Sequence, residues 1–144
     1  MKKLILLFFL IYSATSFSKT YEIYMMNSSN GQSMVFEPMF LKVELGDVVK
    51  FIPKNKGHNS QSAFTPNGAS SWKGETSKEV TIKIEKEGIY IFECKNHRVM
   101  GMSGVIQVAK PVNLNEAKKF VEKYQTKVVI NKNRLTDIIN KIKQ

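Results

Sequence analysis

Short apolar segments recur through the middle of the chain, each ended by glycine, proline or a polar cluster. Thr20 to Met26 alternates, with Tyr21, Ile23 and Met25 on one face, which predicts a half-buried strand. Asn27 to Ser33 is a turn or loop by composition. The apolar pattern resumes at Met34-Val35-Phe36-Glu37, and Pro38 limits its regularity. Leu41, Val43 and Leu45 alternate with Lys42 and Glu44 and are closed by Gly46-Asp47; Val48 to Ile52 repeats the pattern up to Pro53. Asn59 to Ser77 has no sustained period, with Phe64 and Trp72 as its anchors; so long a loop is functional or conceals a short helix. Val80, Ile82 and Ile84 alternate again, and Ile89 to Cys94 and Gly104 to Val108 supply the last two strands. About seven short strands at near-regular spacing predict an all-β chain folded as a Greek-key sandwich.

The period changes after Pro111. Leu114, Ala117, Phe120, Val121 and Tyr124 fall at helical spacing behind Asn113 or Asn115 as caps, and Leu135, Ile138, Ile139 and Ile142 follow Asn131 or Asn133. Two C-terminal α-helices are expected, with their apolar stripes packed on the sandwich; a membrane-surface role is the alternative.

The other end of the chain is a leader. Met1-Lys2-Lys3 is basic, Leu4 to Tyr12 is apolar, and Ser16-Phe17-Ser18 offers small residues for cleavage. Residues 1–18 therefore read as a secretory signal peptide, and the apolar run is too short to remain as a membrane anchor. The expected division is 1–18 signal peptide, 19–110 sandwich and 111–144 helical extension.

The formal net charge is +10. Residues 19–110 hold twelve Lys/Arg against nine Asp/Glu, whereas residues 111–144 hold eight against three, so the excess is concentrated on the tail. Export and the lack of basic runs interleaved with aromatics exclude nucleic acid as a partner. The single cysteine excludes an internal disulfide; in an oxidising compartment a lone thiol must be buried, paired with another chain, reactive or metal-bound.

That cysteine lies in Cys94-Lys95-Asn96-His97-Arg98-Val99-Met100-Gly101-Met102, beside one of the two histidines; the other is His58. Taken singly, Cys94 reads as a small buried hydrophobe, each histidine as a satisfied polar group, and Met100 and Met102 as core filler. Jointly, thiolate, two imidazoles and thioether form the donor set of a blue-copper site, in which imidazole suits both copper states and the sulfurs favour Cu(I). Structural zinc needs four Cys/His ligands and finds three; catalytic zinc survives only without an obvious general base. Two histidines rule out a multicopper oxidase centre. A copper-delivery protein is the alternative to an electron carrier.

Met34-Val35-Phe36-Glu37-Pro38, Gly46-Asp47, Phe51-Ile52-Pro53, Lys56-Gly57-His58-Asn59, Pro66-Asn67-Gly68-Ala69 and Gly88 through Gly104-Val105 closely resemble the pseudoazurins, small periplasmic blue-copper proteins of the cupredoxin superfamily. The resemblance spans the whole mature chain, including both C-terminal helices. It implies a cupredoxin-like sandwich, a non-enzymatic and monomeric one-electron carrier, and one copper held by His58, Cys94, His97 and Met102. It implies that the Asn59 amide donates to the Cys94 sulfur and its side chain braces the ligand loop. Electrons would pass by the edge of His97 through an apolar patch containing Met34 and Met100. Lys56, Lys95 and Arg98, adjacent to ligands, would form a basic ring for an acidic partner: nitrite reductase or another periplasmic reductase, with a cytochrome as donor. Lys95-Asn96 stands where the family usually has Thr-Pro, and Arg98 where it has an aromatic or small residue; both bear on the reduction potential.

Overall fold

In the computed structural model, which describes residues 17–143, the alternating segments become eight strands. They are β1 (Thr20–Ser29), β2 (Gln32–Glu37), β3 (Phe40–Val43), β4 (Val48–Pro53), β5 (Gln61–Phe64), β6 (Val80–Lys83), β7 (Gly88–Glu93) and β8 (Ser103–Val108). Two helices follow, α1 (Leu114–Gln125) and α2 (Arg134–Ile139). The signal-peptide reading lies outside the described residues except at Phe17 and Ser18. Two four-stranded sheets run β2-β1-β4-β6 and β3-β8-β7-β5. β1 lies parallel to β4, and β3 parallel to β8. Every other pairing is antiparallel.

The predicted loop at Asn27–Ser33 is much shorter than expected, because β1 continues to Ser29 and turns through Asn30 (φ 50°) and Gly31 (φ 74°). Asn-Gly tolerates the two left-handed conformations that a tight hairpin turn needs. Leu45, expected on the buried face of its strand, is 49% exposed. β3 ends at Val43, and the Asp47 carboxylate accepts the Glu44 amide at 2.9 Å, folding Leu45 out with the turn. The unpatterned Asn59–Ser77 region contains β5 and no helix. Its side chains are all half-buried at a sheet edge, so no alternation marks it. Trp72 ties the long loop back: its amide donates to Ser62 Oγ at 3.0 Å and its indole N–H to Ser60 Oγ at 3.1 Å.

Between the sheets lies an aromatic core. Phe92 meets Phe36 and Phe51 edge-on at 4.8 and 5.0 Å, and Trp72 stacks on Phe51 at 5.7 Å. The Phe92 ring also covers Gly104, where an added Cβ would collide with it. All six residues of β7 are buried, since Tyr90 and Phe92 join the core between the sheets while Ile89 and Ile91 meet the helices. The second cluster joins Ile89, Ile91 and Val105 to Leu114, Ala117, Val121, Leu135, Ile139 and Ile142, as the helical stripes predict. The expected cap Asn113 acts differently. Its side chain makes no cap bond and instead grips the Ile89 main chain, accepting from N at 2.6 Å and donating to O at 3.1 Å. Next to it Gly88 (φ +124°) has no room for a side chain, because a Cβ would meet Asn113 Oδ1 at 2.6 Å.

Candidate metal centre

β7 ends at Glu93, placing Cys94 at the rim of the sandwich, and the chain returns through a 3-10 turn at Lys95–Met100 into β8. The return is closed by its own backbone: Cys94 N donates to Met102 O at 2.9 Å, Met102 N to His97 O at 3.2 Å, and Gly101 N to Arg98 O at 2.9 Å. Gly101 (φ 72°) makes the left-handed step that ends the turn. His97 leaves the helical conformation within it (φ −119°, ψ 24°). Two sheet-anchored ends thus hold Cys94, His97 and Met102 in one short loop.

His58 arrives from the β4–β5 connection. Ser77 clamps that segment: its amide donates to His58 O at 2.7 Å and its hydroxyl accepts the Gly57 amide at 2.9 Å. The imidazole is fully buried, and its Nε2 meets the Asn27 side-chain oxygen at 2.8 Å. That partner places the proton on Nε2 and leaves the Nδ1 lone pair free. Burial, then the neighbouring His97, hold the His58 pKa below the ordinary histidine value, so the neutral, ligating form is favoured. Nδ1 of His58 lies 3.1 Å from Nδ1 of His97, which lies 3.4 Å from Cys94 Sγ. The ligand atoms of all three residues lie within 4.8 Å of one another.

Asn59 joins the two halves of the site. Its amide approaches Cys94 Sγ at 3.5 Å, its side-chain oxygen accepts the Lys95 amide at 2.9 Å, and its Nδ2 donates to Gly74 O at 3.2 Å. Asn96 restrains the loop where proline is absent, donating to Gly57 O at 2.8 Å and Thr76 Oγ1 at 3.2 Å. Met102 is fully buried in the cluster that contains Cys94. Two imidazole lone pairs and a buried thiol turned on one point suit a borderline-to-soft cation, and the sulfur content suits copper.

The family model for copper binding proteins of the plastocyanin/azurin family matches residues 23–109. The chain belongs to this family. It is 38% identical over 109 residues to the pseudoazurin of Paracoccus pantotrophus, covering 74% of this chain and 75% of that one. A pseudoazurin from Methylorubrum extorquens is 38% identical over 100 residues, 68% of each chain. Among solved structures, the pseudoazurin of Hyphomicrobium denitrificans is 40% identical, with a TM-score of 0.77 over 87% of this chain and 99% of that one. The chain is thus a pseudoazurin-type cupredoxin: a copper protein that carries electrons and is not an enzyme. Bound copper supplies a one-electron couple; His58, Cys94 and His97 are positioned to hold it.

Around this pseudoazurin centre, Lys56 and Lys95 are exposed, and Met34, Met100 and His97 half-buried. Arg98, expected in the docking ring, turns to Glu93 instead. Its Nε donates to Glu93 Oε2 at 2.7 Å, and its Nη2 binds Oε1. Glu93 also accepts from Tyr124 at 2.8 Å and Gln61 at 2.7 Å. Burial alone would push its carboxyl up; the bonds from Arg98, Tyr124 and Gln61 outweigh it and hold the pKa below the usual glutamate value. The carboxylate thereby offsets the Arg98 charge while joining the ligand loop to β5 and α1. Arg98→Ala is expected to cost about 2 kcal/mol in urea unfolding, because a buried carboxylate loses its cation although the pair's outer side is hydrated. A cost below about 0.5 kcal/mol would assign Arg98 to the surface instead.

Sequence reasoning missed Asn27, whose polar turn setting gave no hint that it holds a ligand 31 residues away. It missed Glu93 as well, although a lone acid inside the apolar run Ile89–Cys94 was a usable sign of a buried partner.

Proposed function

We propose that this cupredoxin is a monomeric periplasmic electron shuttle, exported through cleavage before Lys19, with His58, Cys94, His97 and Met102 as the complete ligand set of its copper. The observation that carries the reading is the convergence of three donor atoms of which only His97 belongs to a residue that is not fully buried. That half-buried ring offers an electron path to the surface while Cys94 and His58 are sealed. Met102 is supported as the fourth ligand by its burial beside Cys94 and by main-chain bonds to both Cys94 and His97. Met34 and Met100 frame the exit, with Lys56 and Lys95 around it; Arg98 contributes through the loop it braces. A cytochrome would load the electron, and a periplasmic reductase such as nitrite reductase would accept it.

The test is stopped-flow oxidation of the reduced protein by a copper nitrite reductase turning over nitrite. The blue colour should reappear in a second-order phase that slows several-fold between about 10 mM and about 300 mM salt as the lysine field is screened. A rate that does not exceed oxidation without the reductase, at any salt concentration, would dismiss this acceptor class.

A further inference from the structure

The C-terminal extension reaches the redox end of the molecule through one side chain. Arg134, at the start of α2, is 8% exposed. The ion pairs among the described residues are Lys50–Glu79 and Arg98–Glu93, so no carboxylate balances it. Its donors are taken by neutral oxygens: Nη1 donates to Gly101 O at 2.6 Å and Met34 O at 2.7 Å, Nη2 to Ser33 O at 3.1 Å and Gln32 Oε1 at 3.4 Å. Such acceptors satisfy the guanidinium's hydrogen bonding and leave its charge uncancelled. Burial draws its pKa below the ordinary arginine value, yet arginine stays protonated in proteins.

The same stretch grips the ligand loop elsewhere. Asn131 Nδ2 donates to Met100 O at 3.0 Å, and the Val129 and Ile130 amides both donate to Val99 O, at 2.8 and 3.2 Å. A Cβ on Gly101 would come within 2.8 Å of Ile130 O. The carbonyls of Val99, Met100 and Gly101, the three residues leading into Met102, are therefore all held by the tail.

We propose that Arg134 is a positioning residue of the redox centre, fixing the Gly101 carbonyl and so the approach of Met102, while its uncancelled charge favours reduced copper. The sign follows from charge alone. A copper(II) thiolate is one unit more positive than its copper(I) counterpart, so a fixed cation destabilises the oxidised form more and raises the potential. The proposal rests on the reading that Met102 is a ligand.

The experiment compares Arg134→Gln, Arg134→Lys and Leu135→Ala by protein-film voltammetry, thermal unfolding and amide hydrogen exchange. Arg134→Gln should lower the reduction potential and speed exchange of the Gly101 and Met102 amides at least tenfold. Arg134→Lys should keep a potential nearer the parent's. Leu135→Ala, which loosens α2 from the same core, should reduce thermal stability with the potential little changed. Arg134→Gln at the parent potential, with only its melting temperature lowered, would overturn the proposal and leave Arg134 a helix staple. Should Arg134→Gln fail to fold, Arg134→Lys decides: faster exchange at Gly101 and Met102 supports the role, and parental exchange overturns it. Exchange is read on the copper-free as well as the copper(I) protein. The hold on the loop is then tested independently of whether Met102 ligates.

Discussion

Cys94→Ser is expected to give a folded protein that has lost essentially all of its visible absorbance. The intense colour of oxidised pseudoazurin-type sites comes from charge transfer out of the thiolate, and Cys94 is the only sulfur that can be a thiolate in this chain. The hydroxyl is close to the thiol in size, and Cys94 is fully buried against Asn59, so the pocket itself should survive. The copper left on His58 and His97 would be a weakly coloured, more loosely held copper(II). The check is an optical titration of the copper-free variant alongside far-UV circular dichroism. A retained intense visible band would mean that the ligand assignment is wrong.

The largest loss of stability should come from Phe92→Ala, at about 4 kcal/mol in denaturant unfolding of the copper-free protein. Phe92 is fully buried, joins Phe36 and Phe51 edge-on, and lies over Gly104 of the neighbouring strand. Its removal forfeits both ring contacts and leaves a void that β7 and β8 cannot close, because their main chains are pinned by six paired positions from Gly88 to Glu93. Both strands also carry the ligand loop. A measured cost near 1 kcal/mol would show that this core collapses into the space, and would remove the rigid frame assumed for the centre.

How much of this was legible beforehand differs by element. The strands around Ile23, Val49 and Ile82 announce themselves by alternation, β8 by its short apolar run after Gly104, and the helices by the spacing of Leu114, Ala117 and Val121. β5 does not, because Gln61-Ser62-Ala63-Phe64 is an edge strand whose order comes from Trp72 and β7 rather than from its own pattern. The metal centre was readable at Cys94 and His97, three residues apart, and at His58 only because the chain has a single other histidine. Its supports were not. Asn27 holds His58 from 31 positions away, Arg134 reaches Gly101 from 33, and Glu93 ties the loop to Tyr124, 31 positions on; no local pattern encodes such distances. Asn113 was placed correctly and its role misjudged, since capping preference says nothing of a strand that can outcompete the helix end for the same amide.

Trp72 is the chain's sole tryptophan, and it is anchored to Ser60, two positions beyond His58, and stacked on Phe51. The molecule therefore carries one tryptophan fluorophore, seated against the segment that supplies a ligand. Loading and loss of the ion can be followed by emission from the unlabelled protein.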